Sequence, residues 1–285
     1  MPRQWSPLLR RVVQTGPIRP IEWFSAGPVR RSALPAIRPG RSSMIKPPFL
    51  AALMLAGALL PAHASPALTE AESRWIDAGM PVVRDARERQ LPVDIVVQPT
   101  DQPDASPIAM GIKDGRCMLV LSLRGNPGAD TLSTSVPGPV FAAVAEAVFA
   151  HEVGHCWRYL QGVWNVLPAG FVDVGDDPDE ERHLATLRRQ MRETRREEGF
   201  ADLVGLAWTA RAHPRHYAAV HEWLQRFRGD DTDGSHHDTA EWLRLAGSRS
   251  AFPPGDLFRQ AQSVWEQGLQ PSAAHEDGGS GAPSR

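Results

Sequence analysis

Cysteine is scarce in this chain of 285 residues: Cys117 and Cys156 are the only two. A disulfide-dense scaffold and an all-cysteine zinc cage are thereby excluded, since both are built from several thiols. After residue 64 there is no apolar run of 18 residues. No stable transmembrane segment is therefore expected beyond that point, a span needing about 20 such residues. Basic charge is also lacking there. Residues 65–285 hold 22 basic and 32 acidic side chains, a balance of −10, whereas residues 1–64 hold eight Arg and one Lys against one Glu. An acidic surface attracts neither nucleic acid nor anionic lipid. Internal repeats are missing too, which excludes solenoids and propellers.

The N-terminal residues supply an address. Residues 1–43 are rich in Arg and Pro, show no periodicity, and read as an over-extended leader ahead of a true start at Met44. Lys46 gives a short positive region, residues 49–60 are apolar, and Ala62-His63-Ala64 closes the segment with an A-x-A cleavage site. That is the anatomy of a bacterial-type secretory signal over residues 44–64, too short for a comfortable span. The mature chain begins at Ser65, is expected in the periplasm or outside the cell, and suits one domain over residues 65–270. Residues 271–285 are small and polar and are expected to be disordered.

What the chain does have is His151-Glu152-Val153-Gly154-His155, an H-E-x-x-H motif in a segment that reads as a helix over residues 140–161. Residues four apart share one helical face, so both imidazoles reach a single Zn²⁺ while Glu152 stands beside them as general base on zinc-bound water. Chance alone gives this pattern in about 2% of chains of such composition. The context strengthens it. Val140, Phe141, Val144, Ala147 and Val148 form an apolar stripe leading to the histidines, and Pro137 and Pro139 punctuate the approach. Two core histidines bonded to backbone carbonyls are the structural alternative.

A catalytic zinc needs a third protein ligand. Arg195-Arg196-Glu197-Glu198-Gly199-Phe200-Ala201-Asp202 supplies candidates on a second predicted helix, residues 180–212. Glu198 and Asp202 are four apart. Glu198 can bind the metal while Asp202 accepts a hydrogen bond from the distal N–H of a liganding imidazole, fixing its tautomer. Beyond Asp202 the helix turns apolar, which buries this end. Glu197 is the fallback ligand, although an ordinary solvated acidic cluster suits Glu193 and Glu197 better.

H-E-x-x-H followed by E-x-x-x-D resembles the gluzincin metallopeptidases. Glu198-Gly199-Phe200-Ala201-Asp202 is most similar to the CAAX prenyl protease and heat-shock membrane protease branch with its small soluble relatives. The resemblance covers residues 140–210 and implies ligands at His151, His155 and Glu198, a base at Glu152 and a His-orienting Asp202. The zincin likeness sits beside the chain's own element pattern, which reads as α+β, with a small twisted sheet and hairpin before the active-site helix and a mainly helical second half. The branch usually spans membranes and carries a later His-Pro motif. Here Ser235-His236-His237-Asp238-Thr239 stands in that place, with Arg244 beyond it. His237 is the favoured oxyanion stabiliser, and His236 and Arg244 are alternatives. Zincin folds lay a strand across the active-site helix. Cys117, on a predicted strand, and Cys156, next to His155, are therefore expected to form a disulfide, two buried thiols being the alternative. Ligation by Cys156 is disfavoured, because it points about 100° around the helix from His155.

The remaining pattern fills in architecture. Residues 69–90 read as a helix capped by Thr69, with a break at Gly79-Met80-Pro81. Residues 93–98, 108–113 and 116–123 read as strands, the last two joined at Asp114-Gly115. Residues 215–228, 238–247 and 256–269 read as shorter amphipathic helices. Residues 230–234 faintly resemble a calcium loop but lack its closing Glu and read as a solvated turn. His213, His216 and His221 read as structural and the nine tryptophans as mostly core, while Trp164 and Phe171 lie in the connection nearest the site. The chemistry implied is zinc-dependent hydrolysis of a peptide or protein substrate. The competing expectation is a zinc-stabilised binding or chaperone-like protein without turnover.

Overall fold

In the computed structural model the described residues are 67–100, 105–171, 173, 181–229 and 237–269. The expected leader, signal segment, acidic turn, His236 and polar tail lie outside them. The elements are α1 (Glu70–Glu88), β1 (Val93–Val97), β2 (Ile108–Lys113), β3 (Arg116–Leu121), α2 (Pro127–Ser135), α3 (Phe141–Leu160), α4 (Arg182–Ala212), α5 (Tyr217–Gly229), α6 (Ala240–Leu245) and α7 (Leu257–Gly268). This is an α+β chain in which a small sheet precedes a mainly helical remainder. Among the described residues no single helix is long and apolar enough to cross a membrane.

Thr69 caps α1 through a reciprocal capping box with Glu72. The expected break at Pro81 does not occur, and α1 runs through it. Proline removes one helical hydrogen bond and strains the preceding turn, at a cost of about 3 kcal/mol. Trp75 and Ile76 before it and Val82, Val83 and Ala86 after it are all buried in one core, which holds both halves in line.

The sheet has the order β1-β3-β2 and is mixed. β1 runs parallel to β3, and β2 antiparallel to it. Asp114 and Gly115, both at positive φ (51° and 72°), make the tight turn the hairpin needs. Alternation divides the central strand. Cys117, Leu119 and Leu121 face the main core, while Met118 and Val120 join Val96 in a smaller cluster on the other face. From the core side Cys117 forms a disulfide with Cys156 of α3, Cα to Cα 5.8 Å, which ties the sheet to the motif helix.

α3 and α4 form the central pair. Gly154 lies where a Cβ would meet Ala201 Cα and the Val204 side chain at 3.2 Å, and a Cβ at Gly205 would come within 2.7 Å of the Ala147 carbonyl oxygen. The helices can approach this closely only because side chains are missing there. The second half of α4 is buried, and its first two turns are largely exposed. α7 covers α4 through stacked and edge-on contacts among Trp157, Phe200, Phe258 and Trp265. Trp75, Trp208, Trp223, Trp242 and Trp265 are buried, as a core role requires. α2 has no apolar period to announce it. Its signal is the Asn126-Pro127 pair, a capping side chain followed by proline at the first helical position.

Candidate metal centre

The close crossing of α3 and α4 brings His151, His155 and Glu198 together. One ligand atom from each lies within 4.8 Å of the others. The two Nε2 atoms are 3.0 Å apart, His155 Nε2 is 3.4 Å from Glu198 Oε1, and His151 Nε2 is 3.7 Å from Glu198 Oε2. Ligand atoms bound at 2.0–2.1 Å around a tetrahedral ion are separated by about 3.3 Å. The imidazole separation and the His155–Oε1 distance lie within a few tenths of an ångström of that value, so the group could hold a metal ion.

Asp202 orients His151. His151 Nδ1 donates to Asp202 Oδ1 at 2.8 Å, which leaves the Nε2 lone pair facing Glu198 and His155. Thr239 Oγ1 donates to the other carboxylate oxygen at 2.7 Å. Asp202 thus stands where the E-x-x-x-D spacing puts it, beside His151.

Arg228 is outside the motif and is the main residue that the motif does not announce. Its Nη2 donates to Glu198 Oε2 and to Asp202 Oδ1, both at 2.8 Å, and its Nε to Asp202 Oδ2 at 3.0 Å. A signal existed. Tyr217, His221 and Leu224 form the buried stripe of α5 at helical spacing, and Arg228 falls on the same stripe one turn later. A charge on a buried face needs a partner, and here it has two. Burial alone would raise the Glu198 carboxyl, but Arg228 and the neighbouring imidazoles hold it well below its ordinary range. Against the same cost of burial, Arg228 and His151 lower Asp202 to about 2.

Glu152 is buried, and its burial raises the carboxyl above the ordinary value, with the two imidazoles pulling the other way. His155 is raised as well: burial opposes its charge, and the Glu198 carboxylate outweighs that. Counted as carboxylates, the buried Glu152, Glu198 and Asp202 oppose one guanidinium in contact with them, Arg228. A divalent cation closes this balance, and the nitrogen and oxygen donors suit one.

His237 reaches the rim. Its side chain is 41% exposed, with Nδ1 3.3 Å from Glu198 Oε2 and 3.1 Å from Arg228 Nη1. Arg244 does not reach the site: its side chain is 69% exposed and pairs with Glu241. Glu197 needs correction. It is neither solvated nor turned toward the imidazoles. It is fully buried, taking a 2.6 Å hydrogen bond from Arg158 Nε and one of 2.8 Å from the Asn165 backbone. One residue on a helix is about 100° of rotation, which sends the adjacent carboxylates of Glu197 and Glu198 to different partners. His221 is structural, hydrogen-bonded to the Leu243 carbonyl, and His213 lies away from the site with Nε2 3.0 Å from Glu146 Oε2. Comparison of the chain with protein-family models, curated proteins and solved structures gave no match.

Proposed function

We propose that this chain is a zinc-dependent peptide hydrolase of gluzincin type with a zincin-like fold, acting in the periplasm or outside the cell. The observation that carries the reading is the meeting of His151 and His155 from α3 with Glu198 from α4, beside the buried Glu152. The sequence of E-x-x-x-D after H-E-x-x-H, and a sheet pinned to the motif helix, support the zincin likeness. The Cys117–Cys156 disulfide supports an oxidising compartment, where such bonds persist.

Zinc at this position would supply Lewis acidity, lowering the pKa of water and polarising a carbonyl. His151, His155 and Glu198 would hold it. Asp202 fixes the His151 tautomer, and Arg228 keeps one Glu198 oxygen engaged so that the other faces His155. Glu152 is the general base: burial raises its proton affinity, so it takes a proton from water and returns it to the leaving amine. His237, at the rim, is the donor for the oxyanion.

The test is digestion of a diverse peptide library by residues 65–285, wild type and Glu152→Gln. The substitution preserves shape and removes the base, so turnover is expected to fall by at least about 10² with zinc retained. Wild-type rates in Glu152→Gln would defeat the mechanism. A zinc-loaded wild type that cleaves nothing would favour the binding or chaperone-like alternative.

A further inference from the structure

The connection after α3 is more firmly built than an idle loop requires. Arg158 donates from Nη2 to the carbonyls of Val163 and Val166, at 2.7 and 3.0 Å, and from Nε to Glu197. Glu197 in turn accepts from the Asn165 N–H. Three bonds thus tie residues 163–166 to one buried ion pair, and Asn165 sits at φ 57°, a conformation that asparagine tolerates better than most residues. The Arg158 guanidinium is further fixed over the Trp265 ring, 4.5 Å from its centroid. At the centre of this clamped segment is Trp164. It is half-buried, and its ring lies 5.6 Å from that of His155 in an edge-on contact. Val166, two residues on, is 51% exposed.

We infer that Trp164 is a specificity-determining residue, whose indole receives an apolar or aromatic side chain of the substrate next to the bond that is cut. The inference rests on the proposed peptide hydrolase activity and adds its substrate class. Three observations combine. The indole borders His155 of the candidate metal centre, ring centroids 5.6 Å apart, which places Trp164 beside the metal-binding group. A half-buried indole offers uncharged apolar area, which favours aliphatic and aromatic groups. The Arg158–Glu197 pair fixes the loop in advance, so ordering is not demanded of the substrate. Arg158 and Glu197 are positioning residues in this scheme, acting on substrate through Trp164.

The test uses blocked hexapeptides that differ only in Phe or Ala on either side of a fixed central bond. Their dissociation constants are measured by titration calorimetry on zinc-loaded Glu152→Gln, and zinc affinity by competition with a chelating dye. A Phe peptide should bind at least about tenfold more tightly than its Ala counterpart, about 1.4 kcal/mol. Adding Trp164→Ala should cut that ratio below threefold, Trp164→Phe should keep most of it, and both should leave zinc affinity within threefold. Glu197→Gln, which loosens the clamp without touching the indole, should lower the ratio in the same way. An unchanged Phe-to-Ala ratio in Trp164→Ala would overturn the inference and leave the hydrolase reading standing. Loss of zinc affinity with that ratio unchanged would assign Trp164 to packing against His155 and overturn it equally. If zinc-loaded protein binds neither peptide and wild type cleaves neither, the hydrolase reading itself fails.

Discussion

Glu72 shows how much a single buried carboxylate is asked to do away from the candidate metal centre. It closes the capping box of α1 and takes two hydrogen bonds from Arg124, at 2.8 and 2.6 Å. Burial opposes its charge, but Arg124 and the Thr69 backbone outweigh that and lower its pKa below 4.5. A depressed folded-state pKa contributes stability that is present above the unfolded value and lost as pH falls through the folded one. Glu72→Gln can still cap but cannot pair with Arg124. Urea unfolding at pH 7 should therefore show it less stable by about 2 kcal/mol. The gap to wild type should narrow below pH 4.5 and close on further acidification. A gap independent of pH would show that the charge of Glu72 contributes nothing. At this scale the motif residues and the Asp202 partner of His151 were legible, and the arginine partners of the carboxylates were not. H-E-x-x-H names its own candidate ligands by spacing. Glu197 and Glu198 look alike in sequence, and only the Arg158 and Arg228 positions, 39 and 30 residues away, tell them apart.

Among the elements, the crossing of α3 and α4 makes the site, and two missing side chains make the crossing. Replacing a helical glycine by alanine ordinarily stabilises by up to about 1 kcal/mol. Gly205 should reverse that sign, because the new methyl would meet the Ala147 carbonyl oxygen at 2.7 Å, an atom that cannot swing aside. Gly205→Ala is expected to lose about 1–3 kcal/mol in thermal or urea unfolding. By pushing α4 away from α3 it should weaken zinc binding together with stability. A stabilised protein with undiminished zinc affinity would contradict the close crossing. The helices with a clear apolar stripe, and the hairpin marked by Asp114-Gly115, could be read from the sequence. α2 could not, since only Ala129 and Leu132 of its nine residues are buried, too few to set a period. The run through Pro81 was illegible for the opposite reason, because a local penalty is outweighed by burial that only the assembled core supplies.

Across the whole molecule, the link from sheet to site is covalent. Cys117 and Cys156, 39 residues apart, close a loop that restricts the unfolded chain, worth about 2–4 kcal/mol. The bond also fastens α3 one residue beyond His155. If the chain is exported as proposed, non-reducing mass spectrometry of protein isolated from the periplasm should find a mature N-terminus at Ser65 and the two cysteine peptides linked. Two alkylatable thiols in exported, folded protein would remove the disulfide from the account, and an uncleaved cytoplasmic chain would remove export as well.

The central claim is that His151, His155 and Glu198 hold one zinc and that Glu197 does not. Elemental analysis of purified residues 65–285, in wild type, Glu198→Ala and Glu197→Ala, addresses it most directly. The account predicts one zinc per chain in wild type, most of it lost in Glu198→Ala, and zinc retained in whatever Glu197→Ala protein folds. That last variant leaves Arg158 buried without its carboxylate and should fold less stably by about 3–5 kcal/mol. Full zinc in Glu198→Ala, or none in wild type, would contradict the account.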